Sequence, residues 1–301
     1  MSDISFTGRA AVVTGAGAGL GREYAIELAR RGAQVVVNDV GGTINGIGTS
    51  HAAADQVVGE IRAFGGEAVA SYENVATVAG GERIIGTAVE TFGKVDILIN
   101  NAGIVRDKTL VNMEEESWDA VMNVHVKGAY CVSQPAFRNM KEHHYGRIVM
   151  TASGAGLFGN FGQANYGTAK MALVGFTNVL RLEGERYGIK VNTVVPNAAT
   201  RMSEGAMTEE MHKKLKIGSV PPAVLYLCSE ECVDSGMCIN AFGGYISRSA
   251  ILTGAGVVGI ETPEQVRENW HRIVSMENPV FHNSLPEMVT SILDNDLIRK
   301  G

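Results

Sequence analysis

Tyr166 and Lys170 stand four residues apart, a spacing that places both side chains on one face of a helix. Ser153 lies earlier in the chain, just past a predicted strand. A free tyrosine has a pKa of about 10, too high for a base at neutral pH, but a nearby ammonium favours the phenolate. Tyr166 is therefore a candidate base for the hydroxyl of a secondary alcohol, and Ser153 a candidate donor to the same oxygen. The Tyr–Lys pair by itself is also typical of an ordinary helix surface.

A glycine-rich loop at 14–21 follows the first predicted strand and opens the first predicted helix. Its pattern, T-G-x-x-x-G-x-G, is carried by Gly15, Gly19 and Gly21, with Leu20 between the last two. A helix N-terminus offers free N–H groups to a pyrophosphate, and glycine lets the backbone come close to it. The loop predicts a dinucleotide site, and the oxidised nicotinamide of such a cofactor would further favour the phenolate of Tyr166.

Asp39 ends the second predicted strand, where an acid can bond the adenosine ribose. A carboxylate there repels a 2′-phosphate, so NAD is favoured over NADP. The alternative role for Asp39 is a helix-side cap.

Two other segments, 154–159 and 254–259, match G-x-G-x-x-G formally. Neither begins a βαβ unit followed by an acid, so we predict loops there and no cofactor site.

Apolar, β-branched runs alternate with helical patterns along most of the chain. This order predicts an α/β fold with a Rossmann-type, doubly wound parallel sheet covered on both faces. The predicted strands are 9–14, 33–39, 67–72, 95–100, 147–151, 190–195 and 237–242. The predicted helices are 19–31, 50–64, 80–92, 118–140 (broken or entered at Pro135) and 165–187.

The pattern changes towards the C-terminus. Residues 262–265 read as a capping box with proline at the first helical position, and residues 284–287 repeat part of that signature. We therefore expect a dinucleotide-binding catalytic domain at 1–245 and a helical extension at 246–301 packed on the same domain.

Composition excludes several classes of protein. The 301 residues include 37 glycines and 45% apolar residues, which is unlike a disordered chain. The net charge of −6, without a block of basic residues, argues against nucleic acid and anionic membranes as partners. There is no long apolar run, no secretory signal and no peroxisomal address at the end, and the four cysteines suit a reducing compartment. A cytoplasmic protein without a metal site is expected.

With these motifs the chain resembles the short-chain dehydrogenase/reductase family over about residues 6–245. The matching pieces are the 14–21 loop, Asn100-Asn101-Ala102-Gly103, Asn123, Ser153, Tyr166 and Lys170. The resemblance implies a catalytic tetrad in which Asn123 acts through a water molecule that relays protons from Lys170.

The same resemblance implies a set of cofactor contacts. Asn101, Ala102 and Gly103 would lie beside the adenosine ribose, Asn74 and Val75 at the adenine, and Tyr166 and Lys170 at the nicotinamide ribose. Pro196 and Thr200 would contact the nicotinamide. The loop of these last two departs from the family pattern, because Asn197 replaces a usual glycine and Thr200 comes one residue early.

Longer stretches, such as 38–48, 158–166 and 196–202, resemble one subgroup of that family. It consists of the (3R)-hydroxyacyl-CoA dehydrogenase parts of type 2 peroxisomal multifunctional enzymes. This implies NAD-dependent oxidation of a fatty or steroid acyl-CoA by a homodimer or a tetramer. Alternatives are a hydroxysteroid dehydrogenase acting on a ring alcohol, a 3-ketoacyl-thioester reductase, which Asp39 disfavours, and a non-enzymatic NAD-binding regulator.

Overall fold

The computed structural model describes residues 3–198 and 208–294. The chain divides into two units, Met1–Arg248 and Ser249–Gly301. Our predicted boundary at 245/246 lies three residues before this division, and the predicted packing of the extension on the first domain stays a prediction. No helix among the described residues combines the length and the hydropathy needed to cross a membrane.

An eight-stranded sheet forms the centre of the first unit, in the order β3-β2-β1-β4-β5-β6-β7-β8. Its strands are β1 Ala10–Thr14, β2 Gln34–Asn38, β3 Glu67–Ser71, β4 Ile97–Asn100, β5 Gly146–Thr151, β6 Ile189–Pro196, β7 Cys238–Phe242 and β8 Tyr245–Ser249. The pairs from β3 to β7 are parallel. The two-residue connection between β7 and β8 requires an antiparallel hairpin, which the sequence did not predict. The predicted Rossmann-type fold is confirmed.

The chain order reverses between β1 and β4, which are neighbours in the sheet. Parallel sheets bind ligands in the crevice at the carboxyl ends of the strands where this reversal occurs. The loops after β1 and β4 therefore meet at the expected site.

Helices cover both faces of this sheet. They are α1 Gly19–Arg30, α2 Ala52–Ala63, α3 Val78–Phe92, α4 Glu115–Met122, α5 Gly128–His143, α6 Gly154–Phe158, α7 Ala164–Gly184, α8 Glu209–Lys214 and α9 Pro221–Cys228. Successive residues of one strand enter different cores: Val13 belongs to one apolar cluster and Val12 to the other. Burial on both faces explains why the strands are apolar throughout.

The helix predicted at 118–140 is interrupted in the structure. A π-helical turn, Asn123–Lys127, separates α4 from α5. Pro135 lies inside α5 and neither breaks nor starts a helix. The loop predicted at 154–159 is also wrong, because α6 occupies most of that segment and Ser153 caps it.

The second unit contains the two helices that the sequence predicts, α10 Pro263–Ile273 and α11 Leu285–Asp294. It also contains a small antiparallel pair, β9 Leu252–Thr253 and β10 Val280–Phe281. The Thr262 hydroxyl accepts from Gln265 N at 3.3 Å, while Gln265 Oε1 accepts from Thr262 N at 3.1 Å. The predicted capping box at the start of α10 is confirmed.

Helices α3 and α5 approach closely at Gly81, where an added Cβ would overlap the carbonyl oxygen of Cys131. Pro135 has no N–H to donate to that carbonyl, four residues earlier in α5. We expect Gly81→Ala to lower the free energy of unfolding by about 1–3 kcal/mol. Gly86→Ala in the same helix, where the Cβ meets only a flexible side-chain end at 3.8 Å, should raise it by about 0.5–1 kcal/mol. Urea unfolding of both variants measures the difference, and equal effects would contradict the close approach.

Candidate active site

A cavity of about 780 Å³ lies at the carboxyl edge of the sheet. Thirteen of the predicted site residues line it: Gly15, Gly19, Leu20, Asp39, Asn74, Val75, Asn101, Ala102, Gly103, Ser153, Tyr166, Lys170 and Pro196. Gly21, the last residue of the glycine-rich loop, is buried and does not line the cavity. Thr200 lies outside the described residues.

The candidate catalytic side chains come from two neighbouring elements. Tyr166 and Lys170 lie in the first turns of α7, and Ser153 follows β5 as the N-cap of α6. The Ser153 hydroxyl accepts from Ala155 N at 3.2 Å and forms a hydrogen bond with the Tyr166 hydroxyl. Lys170 Nζ lies 5.5 Å from the centroid of the Tyr166 ring. The structure thus brings Ser153, Tyr166 and Lys170 together as the sequence predicts.

Asn165 anchors the start of α7 and was not predicted from the sequence. Its side chain is fully buried, and Nδ2 donates to the carbonyls of Arg106 and Ser117 at 3.0 and 3.2 Å. Its Oδ1 accepts from Tyr166 N at 2.7 Å. These bonds tie the base candidate to the loop after β4 and to α4. An asparagine beside a helix start signals a cap, but its distant partners have no sequence signal.

Burial dominates the electrostatics of the lysine–tyrosine pair. Desolvation lowers the pKa of Lys170 to about 7, although its Nζ donates to the Thr151 carbonyl at 2.6 Å. Desolvation also raises the pKa of Tyr166; a hydrogen bond from Ser153 lowers it in part, and Asp107 raises it further. The sequence-based expectation of a lowered tyrosine pKa does not hold for the protein alone, because burial of the Tyr166 hydroxyl raises its pKa more than the Ser153 hydrogen bond lowers it.

Asn123 is not part of the cavity wall. It lies in the π-helical turn with its side chain exposed, so the structure does not bring it to Tyr166 and Lys170. His125, two residues later, is buried and lines the cavity. Its ring meets the Tyr166 ring edge to face, with centroids 5.4 Å apart. Residues two apart in a helix point in very different directions, and the π-helical turn places His125 on the inner side.

The glycine-rich loop and α1 suit a pyrophosphate. Ala18 provides no side-chain cap for α1, and the first turn carries no acidic residue, so its N–H groups and positive dipole end are available. Asn101 Nδ2 holds the loop by donating to the carbonyls of Thr14 and Gly15, each at 3.1 Å. An added Cβ at Gly15 would lie 2.7 Å from the Cα of Ala102, so the two segments pack backbone against backbone.

Asp39 is held firmly at the cavity wall. One carboxylate oxygen accepts from Gly17 N at 2.8 Å and the other from Gly41 N at 2.7 Å. Arg22, the nearby cation in the sequence, is engaged by Glu23 and Glu60. The residues present therefore fit a dinucleotide cofactor.

The insertion after Asp39 forms a further part of the cavity wall that sequence reasoning did not assign. Ile44 O accepts from Val105 N at 3.0 Å, and Arg106 Nε donates to the Asn45 carbonyl at 3.0 Å. Val40, Gly42, Thr43, Ile44 and Gly46 line the cavity.

The four cysteines are buried free thiols, and no cluster of metal-ligating side chains occurs within 3–198 and 208–294.

The fold and this cavity define a nicotinamide-dependent oxidoreductase of the short-chain type, and comparison with known proteins agrees. A family model described as "short chain dehydrogenase" matches residues 9–211. The chain belongs to the short-chain dehydrogenase/reductase family.

Within that family the chain is similar over nearly its whole length to peroxisomal multifunctional enzymes. Peroxisomal multifunctional enzyme A of Dictyostelium discoideum is 47% identical, with 96% of this chain and 65% of that protein covered. The structure of the full-length type 2 enzyme from Drosophila melanogaster has a TM-score of 0.82 at 39% identity, with 97% and 50% covered. The chain thus spans 65% and 50% of the lengths of these two proteins. The predicted subgroup resemblance is confirmed.

A third comparison concerns a protein solved with a cofactor. The structure of 7α-hydroxysteroid dehydrogenase with NADH and 7-oxoglycochenodeoxycholic acid has a TM-score of 0.73 at 28% identity, with 81% of this chain and 98% of that chain covered.

Replacement of Lys170 by methionine should stabilise the fold. The lysine pKa falls from about 10.4 in an unfolded chain to about 7 in the folded one. Between these values the unfolded state binds more protons, so wild-type stability rises with pH across that interval. Lys170→Met removes the buried charge. Below pH about 7 the variant should therefore be more stable than the wild type by about 1–3 kcal/mol, and the gain should disappear near pH 10.

Urea unfolding across that pH range measures this effect, with the exposed Lys141→Met as the matched control. A gain that does not depend on pH would show that packing and not charge is responsible.

Proposed function

We propose that this enzyme oxidises a (3R)-3-hydroxyacyl-CoA to the 3-ketoacyl-CoA with NAD⁺. The observation that carries the proposal is the arrangement of Ser153, Tyr166 and Lys170 in one cavity with the free N-terminus of α1. The 3-hydroxyl of such a substrate is a secondary alcohol, which is the group that this arrangement can deprotonate.

Each residue has a defined role in the proposed reaction. A bound nicotinamide supplies the hydride acceptor. Tyr166 takes the hydroxyl proton while the hydride leaves the same carbon, and Ser153 donates a hydrogen bond to the substrate oxygen. When it is protonated, Lys170, whose Nζ lies 5.5 Å from the centroid of the Tyr166 ring, favours the phenolate and so opposes the effect of burial. The backbone N–H groups at the start of α1 bind the pyrophosphate.

The choice of NAD rests on Asp39. Its carboxylate, fixed by two backbone N–H groups, can accept hydrogen bonds from ribose hydroxyls and repels a 2′-phosphate. The similar 7α-hydroxysteroid dehydrogenase was solved with NADH, which supports a nicotinamide cofactor in this cavity.

The acyl-CoA substrate rests on the similarity of this chain to the multifunctional enzymes and to a protein named hydratase-dehydrogenase-epimerase. Phe158 is mostly exposed and lines the cavity, which suits a fatty or steroid acyl group. A ring alcohol of a free steroid is the second candidate, favoured by the similarity to 7α-hydroxysteroid dehydrogenase.

Cytoplasmic location and a homodimer, or a tetramer, complete the proposal. Three similar multifunctional enzymes carry "peroxisomal" in their names, so a peroxisomal location is the alternative. Sedimentation of the purified protein tests the assembly, and microscopy of a tagged chain in its own cells tests the location.

Turnover assays test the reaction. We expect the wild type to reduce NAD⁺ with (3R)-3-hydroxyacyl-CoA and to ignore the (3S) isomer. Tyr166→Phe should lower kcat at least about 100-fold, since the proton acceptor is lost. Tyr130→Phe is the matched control, because Tyr130 is exposed and lies outside the cavity. If the enzyme turned over free steroid alcohols well and hydroxyacyl-CoA not at all, the proposed substrate would be wrong. A near-normal kcat of Tyr166→Phe would refute the mechanism.

Asp39→Asn tests the cofactor. The amide keeps one acceptor oxygen for the loop but removes the charge that repels a 2′-phosphate. We expect the ratio of kcat/KM for NAD⁺ to that for NADP⁺ to fall by about 10-fold, equivalent to about 1.4 kcal/mol. Asp55→Asn, on α2 and outside the cavity, should leave the ratio unchanged. A wild type that prefers NADP⁺ would overturn the role of Asp39.

A further inference from the structure

Asp107 lies in the loop after β4, beside the start of α7. The residue is exposed, yet its Oδ2 accepts a hydrogen bond from Gln163 Nε2 at 2.7 Å. Gln163 is the N-cap of α7 and lines the cavity, three residues before Tyr166. The Oε1 of the same amide accepts from Asn160 Nδ2 at 2.9 Å, which directs Nε2 towards Asp107. The carboxylate is therefore held next to the cavity.

The backbone around this carboxylate is joined to the same helix. Lys108 and Gln163 form a parallel bridge between the two segments. Asn165 Nδ2 donates to the carbonyl of Arg106 at 3.0 Å. Both neighbours of Asp107 are thus tied to the start of α7, so the position of the carboxylate is set by the helix that carries the candidate base.

The charge of Asp107 acts on the reacting end of the cavity. It raises the pKa of Tyr166, because it opposes a negative charge on the phenol oxygen. In the proposed reaction the substrate alcohol meets that same oxygen. A negative charge on the substrate close to its alcohol is opposed in the same way.

The chemistry of the acyl group decides whether the substrate carries such a charge. In a 3-hydroxyacyl group the carbonyl carbon is two bonds from the carbon that loses the hydride, so both lie near the tyrosine hydroxyl. In a CoA thioester this carbonyl carbon is uncharged, and the phosphates lie beyond the pantetheine arm, farther than the Debye length of about 8 Å. In the free 3-hydroxy acid the same carbon belongs to a carboxylate.

The described part of the cavity wall offers little to offset the repulsion of a carboxylate. Lys170 is the only lysine or arginine among the described lining residues, and its Nζ already donates to the Thr151 carbonyl. Burial lowers the pKa of Lys170 to about 7, so its charge is partial at neutral pH. Arg106, the neighbour of Asp107, does not line the cavity and is paired with Glu116.

We propose that Asp107 is a specificity-determining residue, which rejects free 3-hydroxy acids by charge repulsion and so favours acyl groups in thioester linkage. This inference rests on the proposed oxidation of a 3-hydroxyacyl group. A like charge placed against the wrong substrate is a general source of specificity. Because Asp107 is exposed, solvent screens its charge, and the expected discrimination is several-fold.

Two substrates that share the reacting carbon test the proposal. They are (3R)-3-hydroxybutyryl-CoA and free (3R)-3-hydroxybutyrate, each assayed with NAD⁺, and the ratio of kcat/KM for the thioester to that for the acid is compared between variants. Effects on Tyr166 itself are common to both substrates and cancel in the ratio. We expect Asp107→Asn, whose amide oxygen can still accept from Gln163, to lower the ratio at least about threefold.

A charge-conserving variant and salt distinguish charge from structure. Asp107→Glu should keep the wild-type ratio within about twofold. The matched control is Asp119→Asn on α4, because Asp119 is exposed and lies outside the cavity. Between about 0.01 M and 1 M salt the Debye length falls from about 30 Å to about 3 Å. The gain in kcat/KM for the acid over this range should therefore be at least about twofold larger in the wild type than in Asp107→Asn.

A variant Asp107→Asn that oxidises the acid no better than the wild type would overturn the inference. Equal falls of the ratio in Asp107→Glu and Asp107→Asn would overturn it too, since the geometry of the loop and not its charge would then be responsible. Absence of wild-type turnover of the hydroxyacyl-CoA would defeat the proposed function. Normal turnover of the thioester with an unchanged ratio in Asp107→Asn would defeat this inference alone.

Discussion

The fold removes the Lys170 ammonium from water, and this burial lowers its pKa to about 7. Its Nζ is held by the carbonyl of Thr151, the last residue of β5, so the position of the charge depends on the register of the central sheet. The Tyr166 ring lies one turn away on the same helix. Burying an ammonium and a phenol side by side destabilises the fold. It favours proton transfer, because small changes in nearby charge then have large effects on the pKa values of both groups.

The sheet makes this environment possible. Because both faces of its strands are buried by helices, the edge at which the chain order reverses is where a cavity can open without exposing the core. The loop after β1, the segment after β4 and α7 meet there. Asn101 joins the first two and Asn165 the last two, each with two carbonyl acceptors. Two amides, the half-buried Asn101 and the fully buried Asn165, therefore keep the cofactor end and the catalytic end in fixed relation.

The parts of the site that could be predicted are those determined by neighbours in the sequence. Tyr166 and Lys170 are one helical turn apart, the glycine pattern of 14–21 lies within one loop, and Asp39 ends a strand. The predictions that differ from the structure depend on longer-range packing. A π-helical turn takes Asn123 to the surface and His125 to the cavity, and no periodicity shows a single inserted residue. The segment 154–159 has loop-like composition, yet Ser153 caps a short helix there.

The sequence by itself determined the alternating elements, the glycine-rich loop, the Ser–Tyr–Lys set and, through resemblance, the family. These follow from local geometry and from residue types that few other structures require. The tertiary structure alone decided which polar groups lose water: Lys170 and His125 are buried, Tyr166 is desolvated, and Nδ1 of His125 has no hydrogen-bond partner among the described residues. The physical reason is that desolvation and long-range hydrogen bonds depend on residues far apart in the chain, which only packing brings together.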